Sequence, residues 1–111
     1  MCIRDRISAS HHRALRTAKE SQTAVTNLFT GRPARGIVNR VMREVGPMSP
    51  LAPAFPLAGG ALMPLRAKGE ADFSNLWAGQ AFPLGRELST AELTRRLAEE
   101  TQAQLKRFGR S

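Results

Sequence analysis

Five of the chain's seven prolines fall within residues 46–69, at positions 47, 50, 53, 56 and 64. Proline fixes its own φ angle, donates no backbone hydrogen bond and disfavours the helical conformation of the residue before it. Prolines at this spacing exclude both a long continuous helix and a central strand. We therefore predict that residues 46–69 form an irregular segment lying on another surface, with a short helix in "GGALMPLRAKG" that is interrupted near Pro64.

The stretch "SASHHRALRTAKES", residues 8–21, has a composition that favours helix. Ser8 or Ser10 can cap its first turn, and three apolar residues share one narrow face. His11 and His12 are adjacent and point in different directions on a helix, whereas paired metal ligands normally lie three or four residues apart. We interpret both histidines as solvated residues of the helix surface and assign no metal site to the chain.

Residues 23–38 predict a β-hairpin, because side chains alternate along "TAVTNLF" and β-branched residues are common. The Thr-Gly-Arg-Pro sequence at residues 30–33 supplies the turn, since glycine adopts positive φ angles and proline fixes its own. A helix that reaches Phe29 is the competing prediction. After the hairpin, "RGIVNRVMREV" predicts an amphipathic helix that ends at Gly46.

Two further helices are predicted towards the end of the chain. "ADFSNLWAGQAF" places Phe73, Leu76 and Trp77 on one helical face before a break at Gly79 and Gln80. The second is a terminal helix, which is indicated by a capping sequence, by the spacing of its apolar residues and by charge pairs.

This terminal helix is predicted over residues 89–108. Ser89 and Glu92 form a capping box, and large apolar residues recur at helical spacing behind it. Arg95–Glu99 and Arg96–Glu100 are predicted to pair one turn apart. We expect the helix to pack on its apolar face and to keep its charged face in solvent.

The charge of the chain suggests an anionic partner. Its 111 residues carry 17 Lys and Arg against nine Asp and Glu, a net charge of +8. A small basic nucleic-acid-binding module is therefore one hypothesis. However, Phe29 is the only aromatic residue of the more basic first 45 residues, and single-strand binders usually interleave several stacking rings. The sequence has no glycine-rich phosphate loop, no nucleophile elbow and no apolar run that would span a membrane.

The first six residues, "MCIRDR", resemble a translated sequencing adapter. We therefore expect residues 1–6 to be a non-native N-terminal extension and the native protein to begin upstream. Cys2 is the single cysteine, which excludes an internal disulfide and fits a reducing compartment, so we expect a cytoplasmic location.

Three stretches, in this order, carry a family resemblance: "TAVTNLFTGRPARGIVNR", "APAFPL" and "LMPLRAKGEADFSNLWAGQAFPLGRELSTAELTRRL". Together they resemble the C-terminal portion of the nitronate monooxygenases, also called 2-nitropropane dioxygenases. The most specific pieces are "FTGRPARG" and "LWAGQ". One departure is the "AGG" of residues 58–60, where a Gln or Asn pair is expected. The resemblance implies that residues 7–111 are the C-terminal portion of a nitronate monooxygenase-like domain.

The resemblance also implies an activity. It indicates an FMN-dependent oxidoreductase on a TIM (β/α)8 barrel, which oxidises alkyl nitronates with O2 to a carbonyl compound and nitrite. The implied partners are a small-molecule nitronate and O2, with neither nucleic acid nor membrane. A flavin-dependent enoyl reductase of the same fold is the alternative enzyme. Because a complete barrel takes about 250 residues, we expect this mainly helical fragment with its short hairpin to be inactive by itself.

Within the resemblance, "WAGQ" is the candidate for contact with flavin or substrate. Trp77 would wall the pocket, Gly79 would permit close backbone approach, and Gln80 would hydrogen-bond at a flavin edge. The alternative is that Trp77 is ordinary core and that the next residues merely end a helix. No catalytic residue is assigned, because the family's catalytic histidine lies upstream and neither His11 nor His12 matches it.

The resemblance suggests a structural role for three arginines. In a complete enzyme, Arg32, Arg35 and Arg40 are expected to bind carboxylates and carbonyls of neighbouring segments, because the planar guanidinium suits such pairing. A contact of Arg32 or Arg35 with the FMN phosphate is the second interpretation.

Overall fold

The computed structural model describes residues 7–109, apart from the side chain of Glu70. Residues 1–6, for which a non-native extension is predicted, lie outside that range. The described residues separate into two compact units, 7–84 and 85–109. No helix in this part of the chain is long and apolar enough to cross a membrane.

Helices and one hairpin make up the first unit. In chain order its elements are α1 (Ala9–Thr17), β1 (Thr23–Thr26), β2 (Ala34–Ile37), α2 (Arg40–Val45), α3 (Ala58–Arg66) and α4 (Glu70–Phe73). The second unit contains α5 (Thr90–Phe108). Mainly helical structure with a short hairpin is the fold class predicted for the fragment, and it is confirmed.

β1 and β2 form the predicted antiparallel hairpin, with Thr23 opposite Ile37. The competing helix that reaches Phe29 is therefore wrong. The connection between the strands begins with a turn in which the Gly31 N–H donates to Asn27 O at 2.9 Å. Gly31 has a φ angle of +84°, which glycine adopts without the steric cost that a Cβ atom would add.

Side-chain caps start the two helices that flank the hairpin. Ser8 Oγ accepts a hydrogen bond from the His11 N–H (3.2 Å) at the start of α1, which confirms one of the two predicted caps. Asn39 Oδ1 accepts from the Met42 N–H (3.4 Å) at the start of α2. α2 ends at the predicted glycine but is shorter than its apolar pattern indicates, because Ile37 belongs to β2.

Residues 46–57 contain neither helix nor strand, as their prolines predict. Asn27 ties them to the hairpin: its Nδ2 donates to Ser49 O at 2.9 Å, and its Oδ1 accepts from the Ser49 N–H at 3.0 Å. The Phe55–Pro56 peptide bond is cis. A neighbouring element thus ties down this irregular segment, in addition to the short-range turn hydrogen bonds within it, such as that from the Leu57 N–H to Ala54 O at 2.8 Å.

α3 runs through Pro64, so the interruption predicted there is wrong. A proline inside a helix removes the hydrogen bond to the carbonyl four residues earlier and crowds that carbonyl. Here the earlier residue is Gly60, which has no side chain and is exposed, so water can satisfy its oxygen. The helix ends two residues after Pro64, and few of its hydrogen bonds are affected.

An apolar cluster lies on each face of the hairpin. Alternate residues of a strand face opposite sides, and Ile37 and Val38 accordingly pack into different clusters. The first cluster, on the side of α2 and α3, consists of Leu28, Phe29, Val41 and Met42. The second, on the side of α1, consists of Ile37, Leu76 and Ala78. The hairpin is therefore the middle layer of the first unit.

α5 confirms the predicted terminal helix, with Ser89 Oγ accepting a hydrogen bond from the Glu92 N–H at 3.3 Å. The predicted Arg96–Glu100 pair is wrong. Arg96 binds Glu92, one turn earlier, at 3.0 Å, and Glu100 binds Arg86 at 2.5 Å. Helical spacing offers Arg96 a carboxylate on both sides, Glu92 and Glu100, so sequence spacing cannot select between them, and Arg86 lies outside the helix.

Candidate functional site

Residues 76–80, "LWAGQ", are called segment 76–80 below. Leu76 and Trp77 lie outside any helix, although a helix was predicted to include them, and a turn begins at Gln80. α4 ends at Phe73, and Trp77 forms an antiparallel bridge with Gly36 of β2. The predicted helical face of Phe73, Leu76 and Trp77 is therefore wrong. Over so few residues, the apolar spacing of a helix cannot be told from that of a buried extended segment.

Two backbone hydrogen bonds flank the bridge. The Ile37 N–H donates to Leu76 O at 2.8 Å, and the Ala78 N–H donates to Arg35 O at 3.2 Å. Because β2 already pairs with β1 along its other edge, β2 lies between two partners at this point. Segment 76–80 is thereby fixed in register against the hairpin.

Gly36 allows this close approach. A Cβ atom on Gly36 would lie 3.0 Å from Leu76 O and 3.4 Å from ring atom Cε3 of Trp77. A contact that short with a backbone oxygen would require the chain to shift, because protein interiors are close-packed. The last glycine of "FTGRPARG" therefore serves the contact with "LWAGQ", so the two motifs that carry the resemblance touch each other.

The Trp77 side chain is half-buried and packs against the first cluster. It meets Phe29 edge to face, with ring centroids 5.6 Å apart and planes at 88°. Such aromatic pairs contribute about 0.5–1.5 kcal/mol beyond the area that they bury. Trp77 is thus packed on the core, and part of its surface remains accessible.

His11 contacts the backbone of segment 76–80, with its Nε2 atom 2.9 Å from Trp77 O. A carbonyl oxygen can only accept, so His11 Nε2 carries a proton and donates it to this bond. His11 and His12 are both half-buried, and their interpretation as solvated surface residues is therefore wrong. The sequence holds no local signal for the contact, because its two partners lie 66 residues apart.

Gly79 and Gln80 are exposed, unlike the residues before them. A Cβ atom on Gly79 would meet no atom of its surroundings within 4 Å. The chain turns directly afterwards, where Gly79 O accepts from the Phe82 N–H at 3.1 Å. Residues 77–80 therefore combine the half-buried aromatic side chain of Trp77, the exposed backbone of Gly79 and the exposed side-chain amide of Gln80.

Two of the three arginines bind oxygen atoms within the described residues: Arg35 reaches a carbonyl, Thr23 O at 3.4 Å, and Arg40 reaches a carboxylate one turn along its own helix. Arg35 Nη1 donates to Thr23 Oγ1 at 3.1 Å, across the hairpin. Arg40 Nε donates to Glu44 at 2.7 Å, and this hydrogen bond, together with the carboxylate charge, raises the pKa of Arg40. Their role within the described residues is structural.

Arg32 differs from the prediction, because its partner is an aromatic ring. The guanidinium carbon lies 4.4 Å from the ring centroid of Phe55, a cation–π contact. The contact connects the hairpin turn to the Pro-rich segment. All three arginines are therefore engaged within the chain, which favours the structural interpretation over binding to an external phosphate.

Sequence reasoning did not find three residues that build the site: His11, Phe29 and Gly36. Each acts through a partner distant in sequence, so spacing along the chain carries no trace of the contact. In the range that the structure describes, no group of three His, Cys, Asp or Glu side chains is placed to hold a metal ion.

A family comparison agrees with this arrangement of motifs. Residues 3–100 match the family model for nitronate monooxygenase, a range that includes the hairpin, the Pro-rich segment and segment 76–80. The chain belongs to the nitronate monooxygenase family.

Individual relatives show how much of the family protein is present. The chain is 37% identical over 105 residues to a nitronate monooxygenase of Pseudomonas aeruginosa, covering 90% of this chain and 30% of the relative. Identity to a nitronate monooxygenase of Paraburkholderia phytofirmans is 32% over 112 residues, covering 96% and 31%. The crystal structure of nitroalkane oxidase from Streptomyces ansochromogenes matches with a TM-score of 0.74 and 40% identity, covering 90% and 30%. The chain thus spans about 30% of the length of its curated relatives.

Proposed function

We propose that this chain is the C-terminal portion of an FMN-dependent nitronate monooxygenase, in which segment 76–80 contacts the flavin or the substrate. One observation carries the proposal. Segment 76–80 is held against the hairpin by the other motif of the family, while Gly79 and Gln80 remain exposed. Family membership and the share of its relatives that the chain spans support the assignment.

The residues of segment 76–80 fit the edge of a planar ring system with polar atoms. Gly79 lets such a ring approach the backbone, because nothing occupies the space beside its Cα atom. Gln80 offers two N–H donors and a carbonyl acceptor, which suits the alternating donors and acceptors of a flavin edge. Trp77 gives the adjacent apolar wall.

The phosphate of FMN calls for a different site. Arg35 is hydrogen-bonded to Thr23 and Arg32 lies over Phe55, so both already have a partner within the chain. The family resemblance places the phosphate-binding strand ends upstream. No described residue is therefore assigned to the phosphate, and the contribution of this chain is confined to the ring and substrate side.

The proposed reaction converts an alkyl nitronate and O2 to a carbonyl compound and nitrite, and FMN, when bound, supplies the redox chemistry. The chain's own residues would bind and orient. The Gln80 amide would hold one ligand edge by hydrogen bonds, and Trp77 would exclude water from the neighbouring face. Precise placement of this kind accelerates reactions by holding the reactants in a productive geometry.

Replacing Gly79 by leucine tests the proposal in the complete protein, with the native upstream sequence restored. A Cβ atom at this position meets no other atom within 4 Å, and the leucine side chain would occupy the space proposed for the ligand. We expect the dissociation constant for FMN or the KM for nitronate to rise about tenfold or more, equivalent to about 1.4 kcal/mol. Flavin fluorescence titration and nitrite release measure the two quantities.

Gly60→Leu is the matched control, because Gly60 is also exposed and has no atom within 4 Å of an added Cβ. It lies on α3, away from segment 76–80, and should leave both constants unchanged. Equal behaviour of the two leucine variants would remove segment 76–80 from the site. A complete protein without flavin or nitrite release would overturn the proposed activity itself.

A further inference from the structure

Trp77 O lies on the edge of segment 76–80 that faces away from β2. In an antiparallel pair the N–H and C=O groups of successive residues point alternately to the partner and away from it. Leu76 O and the Ala78 N–H bind β2, so the carbonyl of the residue between them points outward. An outward-facing carbonyl at a sheet edge needs another donor.

His11 Nε2 is that donor, at 2.9 Å from Trp77 O. The imidazole comes from α1, whose start is fixed by the Ser8 cap and whose Ala14 and Leu15 pack against the second cluster. α1 is therefore anchored independently of the His11 contact. Segment 76–80 is held from two sides, by the backbone of β2 and by the side chain of His11.

The position of the contact matters because the next residues are exposed. Ala78 is the last residue of segment 76–80 bonded to β2, and Gly79 and Gln80 follow it directly. Trp77 O and the Ala78 N–H belong to one peptide group, which His11 and Arg35 O hold from opposite sides and from which the chain continues to Gly79 and Gln80. Without the His11 bond, this peptide group would be held only by the Ala78 N–H bond to Arg35 O, so the exposed residues that follow would start from a less firmly fixed position.

We propose that His11 is a positioning residue: by holding Trp77 O it orients Gly79 and Gln80 for the ligand. This inference rests on the proposed function of segment 76–80. It assigns no proton transfer to His11, whose ring serves as an N–H donor to the backbone. The family's catalytic histidine is a different residue, and the role proposed for His11 concerns geometry alone.

The chemistry of the donor gives a selective test. Gln carries an amide N–H at about the position of histidine Nε2, whereas Asn carries one near Nδ1 and cannot reach Trp77 O. His11→Gln should therefore retain the bond, and His11→Asn should lose it. Arg13→Asn, on the exposed face of α1, is the control for the weaker helix propensity of asparagine.

Two measurements separate positioning from general stability. In the 111-residue chain, ¹⁵N heteronuclear NOE values of Gly79 and Gln80 should fall in His11→Asn, return in His11→Gln and stay unchanged in Arg13→Asn. In the complete protein, the FMN dissociation constant or the nitronate KM should rise about tenfold in His11→Asn, as loss of one organising hydrogen bond predicts. His11→Gln should restore it.

Distinct outcomes overturn distinct claims. If wild-type complete protein binds FMN and His11→Asn behaves like His11→Gln in both measurements, the positioning role is lost and the proposed function stands. If Arg13→Asn reproduces the effects of His11→Asn, they report only on α1, and the positioning role is again lost. A wild-type complete protein that binds no FMN overturns the proposed function, and the flavin-directed role of His11 with it.

Discussion

Gly31 and Gly36, both in "FTGRPARG", lie where other backbone segments cross the hairpin. A Cβ atom on Gly31 would come within 2.6 Å of Pro53 O, and one on Gly36 within 3.0 Å of Leu76 O. Gly31 thus lies against the Pro-rich segment, and Gly36 lies against segment 76–80 of the candidate site. At the scale of single residues, the absence of two side chains therefore explains how one short motif organises three parts of the first unit.

Gly31→Ala is expected to destabilise the first unit strongly. Alanine would be forced to a φ angle of +84°, and its methyl group would overlap the backbone of residues 53–55. We expect the free energy of unfolding to fall by about 2 kcal/mol or more, the combined effect of a left-handed alanine and overpacking. Urea titration of the 111-residue chain, followed by tryptophan fluorescence, measures the change.

Gly60→Ala is the matched control for this prediction. Gly60 lies in α3, and an added Cβ meets nothing within 4 Å. Alanine is a better helix former, so stability should stay equal or rise by up to about 1 kcal/mol. Equal urea midpoints for the two alanine variants would contradict the close contact described at Gly31.

At the scale of elements, the sequence predicted those helices and strands whose stabilising interactions are close together along the chain. α5 has its cap, its apolar spacing and its last-turn cations within one continuous stretch, and the hairpin has its turn glycine between two β-favouring runs. Segment 76–80 was misassigned because its strand partner lies 40 residues earlier, and Phe73, Leu76 and Trp77 happen to have helical spacing. Tertiary pairing overrides such weak local patterns.

In the candidate site, too, the local features were predicted and the contacts between distant residues were not. Within the family resemblance, "WAGQ" predicted that Gly79 would permit close backbone approach and that Gln80 would hydrogen-bond to a ligand; both residues are exposed in the structure. The supports of the site were not predicted, because His11 binds a backbone carbonyl and Gly36 acts by lacking a side chain. A carbonyl has no sequence signature, and a glycine in a strand reads equally well as a turn or a bulge.

Asn27→Ala tests how the Pro-rich segment is held. Asn27 exchanges two hydrogen bonds with the backbone of Ser49, at 2.9 and 3.0 Å, and no helix or strand orders residues 46–57 from within. Alanine leaves the Ser49 amide without its acceptor. We expect amide hydrogen exchange at Ser49 to accelerate by tenfold or more, corresponding to about 1–2 kcal/mol of lost protection.

The control for Asn27→Ala is Gln22→Ala, a change just before β1 on the same hairpin. Gln22 Oε1 accepts from the Lys19 N–H at 2.7 Å in an exposed turn, so its removal should affect exchange at Lys19 and leave Ser49 unchanged. If the Ser49 amide exchanges equally fast in wild type and in Asn27→Ala, other contacts hold the Pro-rich segment.

At the scale of the whole molecule, apolar residues of both units stand in solvent. Leu51 and Leu57 of the first unit are 81% and 69% exposed, and Leu105 of α5 is 65% exposed. Leu97 and Phe108 of the same helix are also exposed. Isolated exposed leucines are ordinary, but a grouped set fits the proposal that a longer polypeptide would cover these surfaces in the complete enzyme.

The 111-residue chain by itself is expected to hold no FMN and to release no nitrite. It spans about 30% of its curated relatives, and Arg32, Arg35 and Arg40 have partners within the chain. A net charge of +8 will still attract the FMN dianion weakly at low ionic strength, and added salt screens such attraction. Titration of FMN fluorescence should therefore show weak quenching that disappears near 0.5 M NaCl, a salt level at which the Debye length is only a few ångströms.

The Pseudomonas aeruginosa nitronate monooxygenase serves as the positive control for this titration. Salt-resistant FMN binding with nitrite release by the 111-residue chain would mean that these residues already contain a complete site, and salt-dependent DNA binding by a complete protein lacking flavin would favour the nucleic-acid hypothesis instead.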